Sequence, residues 1–278
     1  MKEFSGQTFV VKFGGHAMGD ENLYAKFAQD IVLMKQVGIN PVVVHGGGPQ
    51  IGEMLNRLKI ESSFIDGLRV TDKTTVEIVE MVLSGSINKK LVESLNQAGG
   101  HAVGISGKDD NLIFAERLDS IKNQTDSNIE KALDLGYVGE PKRINPNILK
   151  IFEQSDIIPV IAPIGIGEKG ETYNINADTV AGAIASSLKA TKLIILTDVE
   201  GIIDKNNNLI NKLSYADAQK ILKNGTISGG MIPKIETCLS AISNGAEAVH
   251  ILNGKTEHVI LLEVFTDNGV GTKITRTY

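Results

Sequence analysis

The sequence predicts an α/β fold, a three-layer αβα sandwich around a mainly parallel central sheet. Three observations predict it. Short β-branched runs alternate with stretches of helical periodicity along 278 residues. The runs are continuously apolar, as strands covered on both faces are. Glycines cluster where several of the runs end, and open α/β sheets bind ligands beyond the carboxyl ends of their strands.

The first strand covers residues 8–13 (TFVVKF) and leads into a helix over 22–37. A second strand, 41–45 (PVVVH), ends in three glycines; Pro49 suits the first turn of the helix that follows at 49–58. Residues 63–70 read as a hairpin or lid, and helices over 73–83 and 87–98 precede a strand at 101–105 (HAVGI). Segments 111–116, 137–144 and 171–175 read as further hairpins or lids, and the polar stretch 117–136 as an exposed loop. A helix over 147–154 and a strand at 157–161 (IIPVI) come next, then a helix over 177–188 and a strand at 192–197 (KLIILT). Helices over 215–223 and 233–243 and a strand at 248–252 (AVHIL) complete the pattern. With no internal repeat, low-complexity tract or flexible linker, a single domain of two lobes on one continuous sheet is expected, an N-lobe of about 1–190 and a C-lobe of about 191–278.

Composition narrows the function classes. Hydrophobic residues at 42% and charged residues at 22% exclude extensive disorder. The net charge of −5 and the lack of any Lys/Arg-rich run argue against a nucleic-acid partner. Residues 1–15 hold no apolar run long enough for a signal-peptide core, and the longest apolar stretch, 157–166, is broken by Pro159, Pro163 and Gly165, so neither an export signal nor a membrane span is expected. One cysteine, Cys238, fits a reducing, cytoplasmic setting. Glycine is in excess, 29 residues beside 7 prolines, which suggests backbone approached closely by a ligand.

Four motifs carry candidate chemistry. Lys12 lies near the carboxyl end of a strand before Gly14 and Gly15, and a solvated lysine before a turn is an equal reading of that motif alone. Gly46, Gly47 and Gly48 lead into a helix N-terminus, where free N–H groups and the helix dipole receive anions. Gly229 and Gly230 precede a helix whose first turn holds Lys234, a cation that opposes the dipole unless an anion sits in front of it. In the fourth motif, Asn174 precedes a helix that Asn176 can cap, and Asp178 in its first turn is either a site carboxylate or a dipole partner. His45 reads as a packed strand-end histidine and Cys238 as buried. Two decoys fail their context: the glycines at 165, 167 and 170 precede extended rather than helical sequence, and Ser106-Gly107-Lys108 lacks the spacing of a phosphate-binding loop. No His/Cys cluster with metal-ligand spacing is present, so no metal-ligating residues are expected.

Two lysines on glycine-flanked elements, an anion loop and one carboxylate suggest phosphoryl transfer to a small acid, where catalysis is positioning plus charge stabilisation. An acceptor carboxylate with a pKa of ~4.3 is already ionised at pH 7 and needs no general base.

VKFGGHAM, VVVHGGGPQI, GLRVT, SGKDDNLI, GYVGE, NINADTVA, LTDVEGI and GGMIPK occur in that order across essentially the whole chain. In them the sequence resembles the amino acid kinase family, most closely its acetylglutamate-phosphorylating branch. The resemblance implies ATP-dependent phosphorylation of the side-chain carboxylate of N-acetyl-L-glutamate in arginine biosynthesis. It implies that Lys12 and Lys234 stabilise the transferring phosphoryl and that Asp178 orients both. Gly46 and Gly47, with Gly14 and Gly15, would donate backbone N–H groups to acceptor or phosphate oxygens, and Arg69 and Asn174 would hold the acetylglutamate. Thr197, Asp198 and Gly201, with Gly229 and Gly230, would serve the nucleotide. Mg2+ would be carried by the ATP phosphates and water.

Alternatives within the fold are an aspartate or uridylate kinase, or a catalytically silent arginine or nucleotide sensor. Aspartate kinases usually append a regulatory domain, and uridylate kinases usually carry serine where Gly14 and Gly15 stand here. Intact Lys12, Lys234 and Asp178 speak against a sensor. Arginine-inhibited relatives have an N-terminal helix that links dimers into a hexamer. Only a few residues precede the first strand here, so a homodimer rather than a hexamer is expected. Segment 263–272 resembles their C-terminal segment, which leaves feedback by arginine open.

Overall fold

The computed structural model describes residues 4–65, 67–118, 134–225, 227, 229–266 and 269–277. The chain opens with β1 (Thr8–Phe13), α1 (Glu21–Gln36), β2 (Asn40–His45) and α2 (Gly48–Arg57). A short hairpin, β3 (Phe64–Ile65) and β4 (Leu68–Arg69), precedes α3 (Lys73–Glu80) and α4 (Asn88–Gln97). Next come β5 (His101–Ser106), β6 (Ile113–Arg117), β7 (Val138–Ile144), α5 (Asn147–Glu153) and β8 (Ile157–Ala162). Then follow β9 (Ile164–Ile166), β10 (Thr172–Ile175), α6 (Ala177–Leu188) and β11 (Lys192–Thr197). The remainder is β12 (Lys212–Ser214), α7 (Tyr215–Lys223), α8 (Met231–Ser243), β13 (Ala248–Asn253), α9 (Val259–Phe265) and β14 (Thr272–Thr275).

Eight strands form one sheet in the order β12-β14-β13-β11-β1-β2-β8-β5. Its neighbours run parallel except β13 and β14. Strands from residue 192 onward lie on one side of β1 and the earlier strands on the other, so β1 stands at the seam. The alternation of β1 divides the core. Phe9, Val11 and Phe13 pack with Ile31 of α1, Leu91 of α4 and Val264 of α9. Val10 packs on the opposite face with Val180 and Ile184 of α6 and Ile235 and Ile242 of α8. Lys12 shares the parity of Val10, so this strand turns a lysine toward the α6 layer.

Three features depart from the expectation. The two helices expected over 73–83 and 87–98 are joined by a π-helical segment, Met81–Ile87. Ile87 makes no side-chain cap on α4, and no proline intervenes, so the chain has no local reason to break. Segment 63–70 forms the expected hairpin, β3 with β4, whereas segments 111–116, 137–144 and 171–175 close with β9 into a small barrel of order β10-β7-β6-β9, which depends on pairings far apart in sequence such as Asn174 with Val138. The glycines at 165, 167 and 170 do belong to a hairpin, β9 against β10. β14, between β13 and the edge strand β12, and α9, packed on the face that holds Phe9 and Val11, form without a strong local signal. Most of the expected loop at 117–136 falls outside the described residues. Among the described residues, no helix is long and apolar enough to cross a membrane.

Candidate active site

Lys12 reaches α6 and meets Asp178, whose Oδ1 lies 3.0 Å from its Nζ. From the other side Lys234 of α8 donates to Asp178 Oδ2 at 2.5 Å. One carboxylate therefore clamps two ammonium groups that come from opposite ends of the sequence. Local rules place each member. Asn176 caps α6 by accepting from the backbone N–H of Asp178 at 2.8 Å and of Thr179 at 3.3 Å, which puts Asp178 in the first helical turn. One turn on, Gly182 lets α8 approach, since a Cβ there would stand 2.8 Å from the Thr237 methyl. That contact draws the N-terminus of α8, with Lys234, toward Asp178. Burial alone would raise the Asp178 carboxyl, but the two lysines outweigh it and hold it below the ordinary carboxylate value.

The first glycine turns stand against this cluster. Gly46 N–H donates to Phe13 O at 2.8 Å, which ties the end of β2 to the end of β1. Gly47 packs on the π-helical segment, where any Cβ would collide with Ile87 and come 2.7 Å from Leu83. Gly15 adopts φ +74°, and a side chain there would meet the Asp198 carboxylate at 2.8 Å. Gly14 backs the Lys12 side chain, leaving 2.8 Å between its hypothetical Cβ and Nζ.

A cavity of about 310 Å³ opens beyond the carboxyl ends of β1, β2 and β8. Of the residues expected from sequence, it brings together Lys12, Gly15, Gly46, Gly47, Arg69, Asn174, Asp178 and Lys234. Arg69 is buried, donates to Gly48 O at 3.0 Å and to the Ser62 hydroxyl, and stacks 4.5 Å from the centre of the Phe64 ring. None of these partners carries charge. With Asp178 already shared by two lysines, the cluster and Arg69 leave two positive charges facing a cavity in a chain of net charge −5. An anion is what such a site attracts.

Gly14, Thr197, Asp198, Gly201, Gly229 and Gly230 do not line this cavity. Thr197 ends β11, the neighbour of β1, and Asp198 follows it against Gly15. Gly201 has a local requirement of its own: at φ +153° a Cβ would press 2.6 Å from the Thr272 hydroxyl. Gly229, at φ +60°, and Gly230 form the turn into α8, with open space around them. Sequence reasoning missed Phe64, Leu83, Val138 and Pro163 in the cavity wall. Pro163 had a usable signal, because it follows a buried parallel strand just as Gly14 and Gly46 do.

The family model of the amino acid kinases matches residues 7–253. The chain belongs to the amino acid kinase family. It is 63% identical over 276 residues to the acetylglutamate kinase of Rhodospirillum centenum, covering 99% of this chain and 90% of that protein. The acetylglutamate kinase of Parvibaculum lavamentivorans is 61% identical over 274 residues, with the same coverage of 99% and 90%. Among solved structures, the N-acetylglutamate synthase of Neisseria gonorrhoeae, complexed with coenzyme A and N-acetyl-glutamate, is similar with a TM-score of 0.85 at 26% identity. The match covers 99% of this chain, which spans 61% of the length of that synthase. Giardia carbamate kinase, with a TM-score of 0.71 at 17% identity over 98% of this chain and 99% of its own, shares the amino acid kinase fold.

Proposed function

We propose that this amino acid kinase transfers the γ-phosphoryl group of ATP to the side-chain carboxylate of N-acetyl-L-glutamate, forming N-acetyl-L-glutamyl 5-phosphate and ADP in arginine biosynthesis. The observation that carries the reading is the Lys12–Asp178–Lys234 cluster facing Arg69 across one cavity. Near-full-length relatives named acetylglutamate kinase support the choice of acceptor over aspartate, a nucleotide or a silent sensor.

A carboxylate oxygen of the acceptor attacks the γ-phosphorus, and the bond to the bridging oxygen of ADP breaks. No proton need be removed from the attacking group. Lys12 and Lys234 neutralise charge on the phosphoryl oxygens as it spreads, while Asp178 keeps both ammonium groups aimed at one point. Gly47, with Gly14 and Gly15, offers backbone donors from the strand ends, whereas the expected Gly46 donor is engaged by Phe13 O and leaves Gly46 as part of the cavity wall. Arg69 pairs with the α-carboxylate of the acceptor and Asn174 hydrogen-bonds it. β11 adjoins β1, so a nucleotide whose phosphates reach Lys12 extends toward Thr197 and Asp198, with Gly201, Gly229 and Gly230 shaping the loops around it. The acceptor then occupies the N-lobe, about 1–190, and ATP the C-lobe, about 191–278.

Among the described residues, no group of three or more His, Cys, Asp and Glu side chains comes together to hold a metal. Mg2+ would enter on the ATP phosphates with its waters and would assist by screening their charge. The working assembly in this reading is a cytoplasmic homodimer joined through the N-lobe, with arginine a feedback inhibitor to be tested. Hydroxylamine converts an acyl phosphate to a hydroxamate, which gives a direct test. Hydroxamate should form only with ATP and N-acetyl-L-glutamate together; ADP release without hydroxamate would refute acyl phosphate formation.

A further inference from the structure

His45, the last residue of β2, and Asn88, the first of α4, are both fully buried and meet behind the glycine loop. Neither lines the cavity. The Asn88 amide nitrogen lies 3.0 Å from Val160 O, 3.3 Å from His45 Nε2 and 3.4 Å from Ile105 O. Its Oδ1 accepts from Lys89 Nζ at 3.2 Å, and Lys89 also donates to Gly104 O at 3.0 Å. Carbonyl oxygens only accept and an ammonium only donates, so these neighbours permit a single orientation of the amide. Asn88 therefore presents a donor to His45, and Nε2 must be the acceptor. The imidazole proton is left on Nδ1, which donates to Gly46 O at 2.8 Å.

The fold is shaped around this pin. Gly104 of β5 leaves the space that the Asn88 amide fills, since any Cβ there would overlap it. The π-helical segment ending at Ile87 presses Leu83 and Ile87 against Gly47 and delivers Asn88 one residue later. One element thus supports Gly47 from below and His45 from behind, and π turns recur where a helix is adjusted for a site. Burial pushes the His45 imidazole down to about 4; its bond to Gly46 opposes this and the nearby Lys89 adds to it, so the ring is neutral at physiological pH.

We propose that His45, held by Asn88, is a positioning residue for phosphoryl transfer: its Nδ1–H fixes the Gly46 carbonyl and thereby the orientation of the Gly47 N–H that the reacting oxygens meet. The link is peptide geometry. The Gly46 C=O and Gly47 N–H share one rigid trans plane and point in opposite directions, so holding the carbonyl toward His45 turns the N–H of a cavity-lining residue away from it. The role assigned to Gly47 rests on the reading under Proposed function.

Two variants and one spectrum test it. His45→Leu removes both ring nitrogens, whereas the amide of His45→Asn restores a donor near the Nδ1 position. With His45→Leu, kcat should fall about 10- to 100-fold, as expected for a displaced but still present donor, while the KM values for ATP and acceptor change less than about threefold. His45→Asn should recover kcat to within about fivefold of the parent. In the unmodified protein, long-range 1H–15N correlation should show neutral His45 protonated at Nδ1. A kcat retained within about twofold in His45→Leu, equal impairment of both variants, or an Nε2-protonated ring would each overturn the proposal. If the parent enzyme ignores N-acetyl-L-glutamate, the functional reading fails by itself, and the same comparison is made with whichever acceptor it turns over. If His45→Leu does not fold, His45→Asn and the tautomer decide.

Discussion

Replacing Asp178 with Asn strikes the point on which the site depends. The Asp178 side chain is 8% exposed and Lys12 9%, so the change leaves two ammonium groups confined beside a neutral amide. At an effective dielectric constant of about 20, a charge pair at 3.0 Å carries roughly 5–6 kcal/mol of gross attraction, much of it offset by desolvation. Breaking such a pair from one side typically costs about 3–5 kcal/mol net. Unfolding entropy for 278 residues is on the order of 0.6 kcal/mol/K, so Tm should drop by roughly 5–8 °C. The deficit narrows when anionic ligand is present: a non-hydrolysable ATP analogue supplies the missing negative charge and should raise the Tm of Asp178→Asn more than that of the parent. With its lysines no longer aimed, the variant should lose at least about a hundredfold in kcat. Thermal melts with and without the analogue, followed by steady-state kinetics, check all three. A Tm within about 2 °C of the parent together with kcat within about fivefold would refute the clamp.

Lys234→Ala should lower kcat by about a hundredfold or more while the KM for N-acetyl-L-glutamate moves little, because its charge is best matched to the transition state; unchanged kcat would remove Lys234 from the mechanism. Arg69→Ala should raise the KM for the acceptor by about 10- to 100-fold, the worth of a charge-assisted pair, and unaltered acceptor kinetics would defeat that role. The folded His45 pKa of about 4 lies below the unfolded 6.5, so its contribution to stability is complete above pH 6.5 and is lost as pH falls toward 4. Urea unfolding should show the parent losing up to roughly 3 kcal/mol more than His45→Asn across that window, and parallel pH profiles would contradict it.

What could be read from the residues followed local rules. Lys12 lies near the end of a buried strand, Asn176 caps a helix, and glycines mark the strand ends; each signal lies within a few residues of its consequence. Lys234 at a helix N-terminus implied an anion in front of it. The structure supplies one from the protein itself, since Asp178 fills that place from the first turn of α6. Cys238 is buried as expected, and its desolvated surroundings push the thiol pKa up. His45 is the packed strand-end histidine that the motif suggested, but its link to Asn88 joins residues 43 positions apart and has no local signature. The barrel of β6, β7, β9 and β10 was unreadable for the same reason, because short strands alternate in hydrophobicity alike whether they close or stay as hairpins. The π-helical segment escaped notice because Ser84-Gly85-Ser86 resembles a helix break, whereas packing of Leu83 and Ile87 carries the helix through.

In the proposed reaction, two lysines that share Asp178 serve a carboxylate acceptor held by Arg69. Its most direct test is ADP release by the parent enzyme with ATP and, in separate reactions, N-acetyl-L-glutamate, L-glutamate, L-aspartate and UMP. Turnover with N-acetyl-L-glutamate well above every other acceptor is the predicted result; turnover only with aspartate or UMP would contradict it.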